Sequence, residues 1–295
     1  MKIRGMRKFL TVVCLLSLFG LFLFVLTSTR PLTPGVLRFT FLDVGQGDSV
    51  IVQTPSGRIV VIDTGNLGRQ NGEDAGQSVV APALRRMGTN HIDLLILTHP
   101  HADHIGGAKS LLELCNVDLI MDNGQDSASP LVLSYLQKAK ERNILYRVAR
   151  RGQSFDLGDK VTLRVLSPTD DEASGKANNA SIVLRFDYGE TSAILTGDAE
   201  AEEENDLLTT GEPLACNLYK AGHHGSKTSS TPEFLAAMHP QIAVISCGKN
   251  NLYGHPHPLT LTHLAEKEIR AYRTDLQGAI ICDLEGKKAT VTPTR

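Results

Sequence analysis

This chain of 295 residues is short of several things that would point to a function at once. Its five cysteines, at 14, 115, 216, 247 and 282, include no CxxC pair, which argues against a zinc ribbon or a thioredoxin-type motif. Cys14 lies in an apolar run, and the other four read as buried, reduced thiols of core strands. Net charge is scarce too, at −2, and names no partner. Acidic residues are missing from residues 1–30, which hold five of the 30 Lys/Arg; the other 25 face 32 acidic residues, a net −7 for the rest of the chain. A net acidic body argues against broad, sequence-blind coating of DNA, while leaving room for a local basic groove. No short repeat or low-complexity tract appears.

What is present is ordinary for a globular protein: 41% hydrophobic and 21% charged residues, enough chain for one large α/β domain or two small ones. The N-terminus differs. Residues 1–8 are basic, and residues 9–26 are apolar and uncharged. At about 1.5 Å per helical residue that run spans roughly 27 Å, close to a bilayer core. A basic flank before an apolar run predicts insertion with the N-terminus in the cytoplasm and the remaining chain outside. No clean A-x-A site follows, so residues 1–30 read as an uncleaved signal anchor in preference to a cleaved signal peptide. The expected organisation is anchor 1–30, linker 31–35 and one domain over 36–295.

In that domain, hydrophobic runs predict strands at 36–42, 49–53, 58–63, 93–98, 144–148, 160–166, 181–187, 191–196, 216–220, 242–246, 279–283 and 288–292. Helical patterns fall at 76–87, 106–114, 130–142, 231–238 and 259–269. The polar stretch 167–180 reads as a surface loop. This is a mixed α/β pattern with many hairpins, not a clean βαβ repeat.

The chemistry concentrates at residues 93–107, DLLILTHPHADHIGG. An apolar strand ends abruptly in His99, His101, Asp103 and His104, four ligand-type side chains within six residues. The i, i+2 spacing lets His99 and His101 point at one ion from an extended chain. Asp103 and His104 are adjacent and come where the chain turns, which suggests a second ion beside the first. Gly106 and Gly107 permit close backbone packing beneath. A run of exposed histidines on a loop tip explains neither the apolar strand nor the glycines.

The HxHxDH pattern, together with Phe41–Asp48 (FLDVGQGD), His223-His224-Gly225-Ser226 and Asn251–Pro256 (NLYGHP), resembles the metallo-β-lactamase superfamily over nearly all of residues 36–292. Within it, the resemblance is to the extracellular hydrolase domain of ComEC-type DNA-uptake proteins. It implies a four-layer αβ/βα sandwich with two divalent ions, zinc or manganese, at one edge between two sheets. It implies that Asp198 bridges both ions, that one of His223 and His224 completes the second ion's ligands while the other contacts substrate, and that Asp63 orients the loop beneath them; Asp43 is placed in the same supporting shell. The superfamily's usual third histidine for the first ion is missing: the region reads Ala177-Asn178-Asn179-Ala180-Ser181. Asn178, Asn179 or a water would stand in, which makes manganese plausible beside zinc.

Such a site would lower the pKa of a water held between the ions and clamp developing negative charge. Asp103 would help steer that water. Lys220, Ser226 and Lys227 around the double histidine, with Asn251, His255 and His257 in NNLYGHPH, suit a phosphodiester, and His255 is the preferred acid, with His257 the second choice. Gly45–Asp48 is a weak phosphate-loop candidate or a hairpin turn. The basic stretch 138–151 could be a nucleic-acid track, although a solvated helix face is the commoner outcome. His91, His239 and His263 read as structural. The leading expectation is an extracytoplasmic phosphodiesterase or nuclease acting on DNA. The alternatives are an envelope phosphoesterase acting on teichoic-acid-type polymers and a membrane-tethered binding module without catalysis.

Overall fold

The computed structural model describes residues 35–68, 72–125 and 129–295. The anchor expected at 1–30 lies outside them; among the described residues no helix is long and apolar enough to cross a membrane. Fifteen strands run through these residues: β1 Leu37–Phe41, β2 Val50–Gln53, β3 Ile59–Ile62, β4 His91–Leu97, β5 Asn116–Asp122, β6 Leu145–Val148, β7 Ser154–Asp156, β8 Val161–Ser167, β9 Val183–Tyr188, β10 Thr191–Leu195, β11 Leu218–Lys220, β12 Ile242–Ile245, β13 Arg270–Arg273, β14 Ile280–Leu284 and β15 Ala289–Pro293. They form an eight-stranded sheet in the order β15-β14-β1-β2-β3-β4-β5-β6 and a seven-stranded sheet in the order β13-β12-β11-β10-β9-β8-β7.

The apolar runs that marked the strands are continuous because both faces of each sheet are covered. Val60 and Ile62 of β3 point to the core between the sheets, and Ile59 and Val61 point to the helices outside. β12 repeats the pattern, with Ile242 and Val244 inward and Ala243 and Ile245 outward. Phe39 of β1 meets Phe186 of β9 edge-on across the sandwich, with ring centroids 5.2 Å apart. Truncating a buried Phe to Ala typically costs about 3–5 kcal/mol, so this inter-sheet core holds the two halves together. Helices at Ala81–Arg86, Ala108–Leu114 and Pro130–Glu141 cover one sheet; those at Ala201–Thr209, Pro232–Met238 and Pro258–Glu266 cover the other. The result is the expected four-layer αβ/βα sandwich.

Pairing is more parallel than the hairpin-rich reading suggested. β3, β4, β5 and β6 are mutually parallel, as are β10, β11, β12 and β13. Each parallel run ends at the same edge of its sheet, so the turns after β3, β4, β10, β11 and β12 converge. Open α/β sheets generally bind ligands outside such carboxyl ends. Residues 167–180, read as a loop, contain a capped helical turn at Asp170–Ala173 and a short helix at Asn178–Ala180. The four described cysteines are buried and unpaired.

Candidate metal centre

β4 is buried along most of its length and delivers Thr98 and His99 to the sandwich edge. The chain then turns through His101 into a short helix, Ala102–Ile105, which carries Asp103 and His104. Asp63 follows the parallel neighbour β3, Asp198 follows β10, and His223 and His224 follow β11, both in the left-handed region at φ 47° and 54°. Two glycines allow the close approach. A Cβ on Gly47 would lie 2.3 Å from the Asp103 carbonyl oxygen, and one on Gly107 2.2 Å from the Gly76 nitrogen. Gly47 also sits at φ 136°, a conformation that suits glycine.

Two groups of ligand-type atoms meet at this edge, and Asp198 is common to both. One comprises His99, His101 and Asp198; the other brings Asp48, His104 and His224 to Asp198. His99 Nε2 lies 3.0 Å from His101 Nδ1 and 3.8 Å from Asp198 Oδ2. On the other side, His104 Nε2 lies 3.2 Å from Asp198 Oδ1, and His224 Nε2 lies 3.1 Å from Asp103 Oδ2 and 3.6 Å from Asp198 Oδ2. His104 Nε2 and Asp198 Oδ1 are buried, and neither makes a hydrogen bond. Burying such atoms unpaired is costly, and a divalent cation would satisfy both. The imidazole and carboxylate donors suit zinc or manganese.

The far nitrogens of the two buried rings are held from behind. Asp63 is almost fully buried; its Oδ2 lies 2.7 Å from His104 Nδ1, while its carboxylate accepts from Thr98 N at 2.8 Å and Thr98 Oγ1 at 2.7 Å. The Ser246 carbonyl lies 3.0 Å from His224 Nδ1. These contacts aim both Nε2 atoms at Asp198, the outer-shell arrangement that fixes ligand tautomers. Asp48 stands behind both rings, 3.8 Å from His104 Nδ1 and 3.6 Å from His224 Nδ1, and pairs with buried Lys220 at 2.5 Å. It approaches the rings from the Nδ1 side, and one of its oxygens also lies within 4.8 Å of a ligand-type atom of His104, His224 and Asp198. In sequence Gly45–Asp48 reads as a weak phosphate-loop candidate or a hairpin turn, and neither reading gives Asp48 this role. Asp43 was given a supporting place instead; its carboxylate accepts from Gly45 N at 3.3 Å and pairs with Arg295 at 3.0 Å.

Charge follows from this packing. Burial and the neighbouring His104 push His99 well below the usual imidazole range, so it is neutral. Burial opposes charge on His104 and His224 as well, but Asp198 faces both. With Asp63 it holds His104 well above the usual range, and with Asp48 it raises His224 to about 10. Burial alone would raise the Asp198 carboxyl; His104 and His224 bring it well below the usual carboxylate range. Burial likewise opposes ionisation of Asp48, but Lys220 and then His224 hold it at about 2.

The structure separates the double histidine. His224 joins the buried group, whereas His223 is partly exposed, with Nδ1 3.1 Å from Glu200 Oε1 and Nε2 3.9 Å from Asp198 Oδ2. Asn179 donates to Glu202 at 2.8 Å and accepts from Glu200 N. Asn178 reaches Glu200 at 3.4 Å and leaves its Oδ1 buried without a hydrogen-bond partner.

A cavity of about 320 Å³ opens over the cluster, lined by Gln46, His101, Ala102, Asp103, Asp198, His223, His224, Tyr253 and His255. The expected substrate residues Asn251, His257 and Ser226 are engaged elsewhere. Asn251 ties its own loop together, donating to Gly248 O and His255 O and accepting from Tyr253 N and His255 N. His257 Nδ1 caps the helix Pro258–Glu266 by accepting from Leu259 N at 3.1 Å. Ser226 Oγ bonds within its own turn to Thr228. Lys227 is exposed. The basic stretch is largely occupied: Arg142 on the Leu112 and Cys115 carbonyls, Arg150 on Asp170, Arg151 on Glu172 and Asp206, Lys138 on Glu141.

Comparison with known proteins agrees with this architecture. The metallo-β-lactamase superfamily profile matches residues 42–249. ComE operon protein 3 of Bacillus subtilis is 35% identical over 278 residues, covering 91% of this chain and 35% of that protein. Competence protein ComA of Neisseria gonorrhoeae is 31% identical over 242 residues, covering 82% of this chain and 31% of that protein. The chain thus spans about a third of the length of these relatives. The metallo-β-lactamase fold protein YhfI of Bacillus subtilis has a solved structure with the same fold, at TM-score 0.54 and 9% identity, covering 84% of this chain and 100% of that one. With its sandwich, its HxHxDH cluster and its relatives among the competence proteins all in agreement, the chain belongs to the metallo-β-lactamase superfamily of metal-dependent hydrolases.

Proposed function

We propose that this chain is a metal-dependent phosphodiesterase that cuts DNA outside the cytoplasm. The observation that carries the reading is the pair of donor groups sharing Asp198 at the floor of an open cavity. The competence-related relatives favour DNA as the phosphodiester, and the basic head and apolar run of residues 1–26 favour the extracytoplasmic side.

His99, His101 and Asp198 would hold one cation; Asp103, His104, His224 and Asp198 would hold the other. Cations bound there supply Lewis acidity and lower the pKa of water. The chain's own residues do the rest. Asp63, Ser246 and Asp48 keep the rings oriented from behind. Asp103, partly exposed at the cavity wall, would orient an attacking water through its carboxylate. His255 sits 5.5 Å from the His223 ring and 6.4 Å from the His224 ring, centroid to centroid. Burial, then the charges of His223 and His224, push it down to about 4, so it enters the cavity as a neutral ring. An anionic phosphodiester beside it would raise that value and let it hold a proton for the leaving oxygen. His255 Nδ1 is buried without a hydrogen-bond partner and so is uncommitted.

The test uses the full chain in detergent, loaded with zinc or manganese, on single-stranded and double-stranded DNA. An Asp103→Ala/His104→Ala variant serves as the control. Metal-dependent cleavage lost in the variant is the expected result. No cleavage of any phosphodiester would sink the proposal, and cleavage of a glycerol-phosphate polymer but not of DNA would move it to envelope polymers.

A further inference from the structure

Tyr253 has no part in the metal cluster or its support, yet it lines the cavity and is 70% exposed. Leu252 beside it is fully exposed. The loop that carries them is not slack. The Asn251 side chain makes four hydrogen bonds to backbone atoms of Gly248, Tyr253 and His255, so the pair is held out from the fold by a stapled turn. The Tyr253 ring lies nearly parallel to the His255 imidazole, 26° between planes and 5.8 Å between centroids, and His255 in turn lies 6.4 Å from His224. A flat aromatic face therefore stands two ring-to-ring steps from the candidate metal centre. It is the only phenyl-type ring lining that cavity among the described residues.

Charge gives this ring more to do. Outside residues 1–30 the chain has a net charge of −7, and the arginines at 142, 150 and 151 are committed to carbonyls and carboxylates. Lys227 and Lys249 are exposed and can meet phosphates, but such contacts do not read the base. Stacking engages the base itself, because every base has a π-face and stacking tolerates any sequence. Bases inside a duplex already have both faces covered by their neighbours.

We propose that Tyr253 is a stacking platform for an unpaired nucleobase next to the phosphodiester under cleavage, and that it biases this site toward single-stranded nucleic acid. The inference rests on the nuclease reading above and names the substrate form that the site selects.

The test compares two single strands of equal length, one with bases and one abasic, on the full chain. Binding is read by fluorescence anisotropy and cleavage by KM and kcat. With Tyr253 in place, the base-bearing strand is expected to bind about tenfold tighter than the abasic one, the scale of one base–aromatic stack. In Tyr253→Ala that preference collapses toward one, with KM rising and kcat little changed, whereas Tyr253→Phe retains it. Equal weakening of both strands would mean that the ring touches sugar or phosphate, and an unchanged preference would mean that it touches nothing; either result overturns the inference. If wild-type protein cleaves no phosphodiester, the nuclease reading fails on that count, and the anisotropy ratio still decides the role of Tyr253.

Discussion

Replacing Asp63 with Asn isolates the buried support of the candidate metal centre. Asp63 is 1% exposed and sits at φ 58°, a left-handed conformation that Asn tolerates well, so the backbone has no reason to move. Its Oδ1 accepts from Thr98 N, and Asn keeps that bond. Its Oδ2 faces Thr98 Oγ1 and His104 Nδ1, each at 2.7 Å, and there Asn presents an NH2 group instead of an acceptor. When the ring gives up one proton to bind metal, His104 Nδ1 must then accept from that NH2, so the proton that remains sits on Nε2, pointing at Asp198 Oδ1 3.2 Å away. A protonated Nε2 cannot ligate a metal. Turning the amide over only sets its NH2 against the Thr98 N–H. Loss of an orienting partner of this kind typically costs 10–100-fold in metal affinity, or about 1.4–2.7 kcal/mol. The assay titrates zinc into the metal-free protein against a chromophoric chelator, with a thermal melt to confirm the fold. An Asp63→Asn protein that is folded and binds zinc as tightly as wild type would refute the reasoning.

Two further perturbations probe buried charge. Lys220→Met strands Asp48, its partner at 2.5 Å, and breaking such a buried pair should cost about 3–5 kcal/mol in denaturant unfolding; a loss under 1 kcal/mol would show that Asp48 is not held by this lysine. Glu203 is buried among Glu172 and Asp206, and burial raises it to about 8 from an ordinary 4.5. Between those values the folded state keeps a proton that the unfolded chain has lost, so stability falls as pH rises from about 4.5 to 8, by up to about 1.4 kcal/mol per pH unit. Glu203→Gln should flatten that part of the melting-temperature profile and gain stability over wild type above neutrality, and parallel profiles would contradict the assignment.

The HxHxDH cluster was legible because an apolar strand ended in ligand-type residues, a purely local signal. β3, β4 and β12 were legible for the same reason, since both faces are buried and the runs are unbroken. β5 was not: Asn116, Asp118 and Asp122 interrupt it, and it follows directly on a helix, so its apolar residues merge with the helical pattern. Asp48 was hidden in a glycine-rich turn, and its partner Lys220 is distant in sequence; only the convergence of β2 and β11 at one edge joins them. Asn251 and His257 look like substrate ligands in sequence, but a polar side chain beside a turn or a helix start competes for backbone groups first. The local hydrogen bonds that claim them also leave Tyr253 facing the cavity. The arginines at 142–151 suggested a nucleic-acid track, and their partners on neighbouring elements were invisible without the fold.

Anomalous diffraction from crystals of zinc- or manganese-loaded protein, recorded at the metal's absorption edge, shows whether Asp198 stands between two cation sites. Two peaks flanking Asp198 are expected, one against His99 and His101 and the other against Asp103, His104 and His224. No peak at Asp198, or a peak seated against Asp48 and Lys220, would overturn the two-site arrangement.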